Sequence, residues 1–155
     1  AAGCWIEAGW TTAEGVAARE AELTKAVGLM QPRIETTRDF LAFEYIFNDP
    51  EGFDAKAKKK HWKQDTPVRL AALISRLTEL GEFGEVDVEG ATRTLAGELG
   101  ISTGKLIHPT RLAISGVGHG PGLFELMEVL GQETCIRRMR KALERASQEE
   151  SVSAI

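Results

Sequence analysis

Little in this 155-residue sequence points to redox or metal chemistry. Its two cysteines, Cys4 and Cys135, lie far apart and form no CxxC pair, and His61, His108 and His119 fall at no ligand spacing. No metal site is expected. Charge interrupts every apolar stretch well before the ~18 residues a membrane span needs, and no basic-then-apolar leader opens the chain. The expectation is a cytoplasmic protein with no membrane contact. Alternating strand patterns are missing as well. The first methionine is Met30, inside a helical pattern, so the chain reads as a piece of a longer protein.

What is present is enough apolar material for a core: 43% of the residues are hydrophobic. That suits one domain or two small subdomains. The net charge of −4 hides an uneven distribution. Residues 1–53 carry 4 basic and 9 acidic side chains, residues 54–80 carry 7 and 3, residues 81–110 carry 2 and 5, and residues 111–145 carry 6 and 4. The two basic blocks form either one face for a polyanion or two merely solvated helix surfaces.

Helical punctuation runs throughout. In "TPVRLAALISRLTELG", Thr66 is the expected N-cap, Pro67 opens the helix and Gly81 follows its end. Val68, Leu70, Leu73, Ile74, Leu77 and Leu80 form its apolar stripe. Val16, Leu23, Val27 and Met30 mark an earlier helix, and the aromatic run Phe40, Phe43, Tyr45 and Phe47 reads as core, with an exposed stacking platform as the alternative. Asn48, Asp49 and Pro50 close that run with turn chemistry, and Asp54 caps "AKAKKKHWK". Asp87 is the expected cap of the next helix. Ser102 caps a short one that Pro109 interrupts by disfavouring helix at His108, leaving residues 110–115 as a further turn. A helix from Pro121 to Leu130 and a last one through "ETCIRRMRKALERA" complete an all-α chain of eight or nine helices. Residues 147–155 read as a flexible tail.

Between two of these helices, "ISGVGHGPGLFELMEVLG" places Gly116, Gly118, Gly120 and Gly122 at alternate positions. A phosphate cradle needs fixed glycine offsets between a strand and a helix, and neither GxGxxG nor GxxxxGK[ST] fits here. A plain connector explains the helix start at Pro121 but not the density of glycine. A loop that lets a flat partner such as a base approach the backbone would explain it.

The stretch "HPTRLAISGVGHGPGLFELMEVLGQETCIRRMRKAL" resembles the C-terminal anticodon-binding domain of bacterial glutamyl-tRNA synthetases, with its Pro-x-Arg-x-Ala segment, Pro-Gly-Leu-Phe loop and basic final helix. "AVGLMQPRIETTRDF", "YIFNDPEGFD" and "KKKHWK" resemble further segments of that family in the same order, so the similarity spans roughly residues 5 to 145. The resemblance implies a helical cage in two subdomains, residues 1–65 and 66–146, the first adjoining the catalytic part. It implies a parent enzyme that attaches glutamate to tRNA using ATP and Mg. The parent's HIGH-like and KMSK-like signatures are absent, since "GHGPG" and "STGKL" match neither. No catalytic residue and no cofactor are therefore expected in this chain.

The resemblance further implies anticodon contacts from Arg111 and from Gly118, Gly120, Pro121, Gly122 and Leu123. Arg111 would offer a guanidinium fork, Pro121 and Leu123 apolar platforms, and the glycines close backbone. Many relatives carry Thr or Ser where this chain has Gly120. Arg33, with Arg38 behind it, is the candidate for sensing the third anticodon base. Lys58, Lys59, Lys60, Arg137, Arg140 and Lys141 are candidates for the tRNA backbone, with solvated faces as the plainer reading. Trp62 is expected to pack rather than stack on a base. The implied partner is glutamate tRNA, with glutamine tRNA as a second candidate, and the implied state is a monomer. A helical protein-interaction module without synthetase activity is the alternative function.

Overall fold

The structure is a computed structural model and describes residues 1–154. Those residues form nine α-helices and no strand: α1 Ala2–Glu7, α2 Ala13–Ala18, α3 Glu20–Met30, α4 Ala55–His61, α5 Thr66–Thr78, α6 Glu85–Glu98, α7 Gly104–Ser115, α8 Leu123–Leu130 and α9 Gln132–Ser153. Two 3-10 segments, Gln31–Arg33 and Thr37–Ile46, join α3 to α4. None of the described helices is long and apolar enough to cross a membrane.

Local chemistry accounts for most boundaries. Asp54 caps α4 by accepting from Ala57 N at 2.7 Å. The cap of α6 is Gly84, and Asp87 sits three residues in, where its carboxylate accepts from Gly84 N at 3.2 Å. Thr66 belongs to α5, and its hydroxyl accepts from Lys63 N instead of capping. α8 starts at Leu123 rather than Pro121 and has Gly122 at its cap position.

Three further expectations are corrected. Val68 is 75% exposed, because only Leu70, Leu73, Ile74 and Leu77 fall on the buried face of α5. Pro109 does not interrupt its helix, which runs unbroken through it to Ser115. A proline there removes one backbone bond and costs ~3 kcal/mol, but Leu106, Leu112, Ala113 and Ile114 of the same helix are all buried and offset that loss. The final helix continues to Ser153 through residues read as a tail. Ala146 is buried, and Glu149 pairs with Lys58 of α4.

α5 is the central element, packing against α6, α7 and α9, while α8 lies between α3, α6 and α9. One hydrophobic cluster runs from Trp5 and Phe40 through Leu73 and Leu126 to Met139, with residues from both sides of position 65. Phe40, Phe43 and Tyr45 are buried in it, so the aromatic run is core; Trp62 packs against Phe53 with ring centroids 5.8 Å apart.

Candidate nucleic-acid interface

The glycine loop joins α7 to α8. Gly116 ends α7 with φ +77°, and a Cβ there would lie 2.8 Å from Gly52 O and 3.0 Å from Pro50 Cβ. Its carbonyl accepts from Asp54 N at 2.8 Å, so the loop is fastened to the segment that leads into α4. Gly118 lies equally close to Ala57. Gly120 has φ +143°, and a Cβ there would stand 3.1 Å from Tyr45 Oη and 3.4 Å from Arg111 Nη1. Much of the room these glycines make is thus used within the protein.

Arg111 is half-buried on the last turns of α7 and donates from Nη1 to Pro121 O at 2.7 Å. A guanidinium has five N–H donors, so most of its fork remains free. Burial pulls Arg111 below its ordinary pKa, as does Arg33, while the Tyr45 phenol raises it. Burial pushes Tyr45 up to about 12, although Arg111 and Arg33 act to lower it. Tyr45 therefore keeps its proton across the neutral range, and its Oη stays a donor.

Between the first 3-10 turn and the loop opens a cavity of about 550 Å3, lined by Arg33, Asp39, Phe43, Tyr45, His119 and Gly120 among others. Arg33 donates from Nη1 to Leu29 O at 3.0 Å, which holds it at the rim. Asp39, the acid of the cavity, accepts from Glu35 N at 2.8 Å and Thr36 N at 2.7 Å. Those backbone donors, that of Thr36 first, hold its carboxyl below the usual range. Guanidinium, phenol, imidazole and apolar ring surface thus surround one opening, the combination that reads an unstacked base by its edge and face.

The structure brings Arg33, Arg111 and Gly120 together, with Gly118 close by. Pro121 and Leu123, expected as open platforms, are instead buried, Leu123 being 4% exposed because it begins α8 on the core side. What this end of the loop offers is backbone: Gly122 is exposed, and the first turn of α8 has no side-chain cap, leaving N–H groups for an acceptor. Sequence reasoning assigned neither His119 nor Tyr45 to the site, although both lie in segments it singled out, since only the tertiary fold places them here.

The backbone candidates are scattered. Lys58 pairs with Glu149, while Arg137 and Lys141 both pair with Asp49. Lys59, Lys60 and Arg140 are exposed and have no ion-pair partner among the described residues. The basic stripe of α9 owes much of its charge to an internal task centred on a residue sequence reasoning passed over. Arg138, 3% exposed, donates to Asp49 Oδ1 at 3.0 Å and to the carbonyls of Tyr45, Ile114 and Asn48. The signal was available: Cys135, Arg138, Met139, Ala142 and Ala146 share one helix face, so a cation sits in a row of small and apolar residues.

An all-helical chain whose arginines flank a partly aromatic cavity beside a close-packed glycine loop is a helical recognition domain. The chain belongs to the anticodon binding domain family, whose model matches residues 7–143. It is similar to the glutamate–tRNA ligase of Chloroherpeton thalassium, with 38% identity over 133 residues, covering 85% of this chain and 26% of that protein. It is also similar to glutamate–tRNA ligase 1 of Syntrophomonas wolfei, with 44% identity over 122 residues, covering 77% of this chain and 25% of that one. Among solved structures, the glutamate tRNA ligase of Elizabethkingia meningosepticum in complex with its amino acid superposes with a TM-score of 0.77 at 34% identity, covering 80% of this chain and 25% of that chain. The chain spans about a quarter of the length of the relatives it matches.

Proposed function

We propose that this chain reads the anticodon loop of glutamate tRNA, as part of a glutamate–tRNA ligase that joins glutamate to tRNA with ATP and Mg in the cytoplasm. The observation that carries this reading is the convergence of Arg33, Tyr45 and Gly120 on one cavity, with Arg111 beside Gly120, in a chain of the anticodon binding domain family. One anticodon base enters the cavity, where Arg33 and Tyr45 Oη donate to its edge. The free donors of Arg111 and the N–H groups at the start of α8 meet a neighbouring base. Glutamine tRNA is a second substrate where the third anticodon base is tolerated at Arg33. ATP and Mg belong to the parent's catalytic part and do not fit here: the glycine loop links two helices, without the strand-to-helix turn that cradles phosphate. Residues 1–65 adjoin that part, and residues 66–146 carry the reading loop.

Binding of the anticodon stem-loop, with each anticodon base changed in turn, tests this reading. Arg111→Ala is expected to weaken binding about tenfold or more, in line with ~1–3 kcal/mol for a good base contact, and to flatten discrimination at one position. Arg111→Lys keeps the charge but not the fork, and recovers affinity without discrimination. Indifference of the unaltered protein to anticodon identity would sink the reading.

A further inference from the structure

Toward the N-terminal end of α7, away from the loop, α4, α5 and α7 enclose an open basin of about 450 Å3 lined by Lys60, His61, Lys63, Arg69, Lys105 and His108. The two imidazoles are stacked, with ring centroids 4.2 Å apart and planes 19° from parallel. One carboxylate, Asp65, lines the basin, and it is already paired with Arg69 at 3.1 Å. Lys63 donates to Lys59 O, whereas Lys60 and Lys105 are exposed and make no ion pair among the described residues. Four permanent cations and two basic rings thus converge with a single acid between them. Such a concentration of like charge costs free energy unless an anion relieves it.

We propose that this basin is a backbone-phosphate site, which takes a phosphodiester of the same RNA strand whose bases meet Arg33 and Arg111. The inference rests on the anticodon reading given above. His108 and Arg111 are three residues apart on α7, ~4.5 Å along its axis and on neighbouring positions of one face, so a strand leaving Arg111 passes directly over the basin. Of Lys58, Lys59 and Lys60, it is Lys60 that lines the basin, which distinguishes it from Lys58 on Glu149.

The stacked histidines make the site proton-linked. Burial lowers the pKa of His61, and His108, Lys60 and Lys63 lower it further; burial likewise lowers His108, with Arg111 and Lys60 adding to the effect. The charged groups that face the pair are Lys60 from α4, Lys63 and Asp65 from the connection, Arg69 from α5, and Lys105 and Arg111 from α7. Without an anion the rings are neutral at pH 7. A bound phosphate favours the imidazolium form, so the complex takes up protons and tightens as pH falls.

The test is titration of this chain with the glutamate tRNA anticodon stem-loop and its anticodon-substituted versions across a salt series. Lys60→Ala with Lys105→Ala, both at exposed positions, is expected to weaken binding about tenfold and reduce the slope of log K against log salt by about 1.4, equally for every anticodon. A charge-matched control, Lys56→Ala with Arg93→Ala, leaves the slope nearly unchanged. Affinity rises about threefold or more from about pH 8 to about pH 6, and His61→Gln with His108→Gln abolishes that rise. Intact affinity and slope in the Lys60/Lys105 variant, alongside retained anticodon discrimination, would overturn the basin and leave the anticodon reading standing. A reduced slope without any discrimination upholds the basin and overturns the anticodon reading. No binding at low salt overturns both.

Discussion

Gly120 shows how much a single missing Cβ decides. Its φ of +143° is a conformation that L side chains rarely adopt, and a Cβ would press on Tyr45 Oη and Arg111 Nη1 at 3.1 and 3.4 Å. Gly120→Ala is therefore expected to cost more than about 1 kcal/mol in urea unfolding and to displace Arg111, lowering stem-loop affinity as well. The glycine density was legible in the sequence as a need for close approach. The identity of the neighbours was not, because Tyr45 and Arg111 reach the loop from elements 75 and 9 positions away. Thr110 is a second residue whose environment only the fold reveals. Its Oγ1 is the buried side-chain oxygen without a hydrogen-bond partner among the described residues, one helical position before Arg111. Thr110→Val removes that unpaired hydroxyl while keeping the shape, and is expected to raise stability by about 1 kcal/mol in the same measurement.

At the scale of elements, the packing of α9 depends on the turn after the aromatic segment. Asp49 accepts from Arg137, Arg138 and Lys141, and Arg145 donates to Pro50 O at 3.0 Å while its guanidinium lies over Phe53. Burial alone would raise the Asp49 pKa, but hydrogen bonds from Lys141, Arg137 and Arg138 prevail and hold it well below the usual carboxylate range. A carboxyl depressed in the folded state stabilises above its unfolded value of ~3.9, and that contribution is lost progressively as pH falls below it. Acid unfolding followed by circular dichroism should show that loss, and Asp49→Asn should flatten it. Asp49→Ala strands the buried guanidinium of Arg138 and is expected to cost about 3–5 kcal/mol at pH 7. Turn chemistry at Asn48–Pro50 was readable from residue type alone. The latch was not, since its two halves lie 88 to 92 positions apart. Pro109 failed for the complementary reason: a local preference was outweighed by the burial of four neighbours that local sequence does not display.

For the whole molecule, a net charge of −4 has to be reconciled with binding a polyanion. Charge sums did not resolve this, and neither did the two basic blocks, because position in a block does not say which cations are already neutralised. Lys58, Arg137 and Lys141 have internal carboxylate partners, whereas Arg33 lines the cavity, Arg111 stands beside Gly120, Lys60 and Lys105 line the basin, and none of these four has an ion-pair partner among the described residues. The acidic excess of residues 1–53, 9 acids against 4 bases, is partly silenced where it would oppose RNA, with Asp39 held by backbone amides and Asp49 by α9. Four available cations imply a slope of log K against log salt near −2.8 for a single-stranded loop, or roughly a fiftyfold loss of affinity between about 50 and 200 mM salt. Substitutions at Arg137 and Lys141 should leave that slope nearly unchanged, because those cations are spent on Asp49, and their cost should appear in urea unfolding instead. A slope that falls by about 1.4 when both are replaced would mean that α9 lets go of Asp49 to meet the RNA.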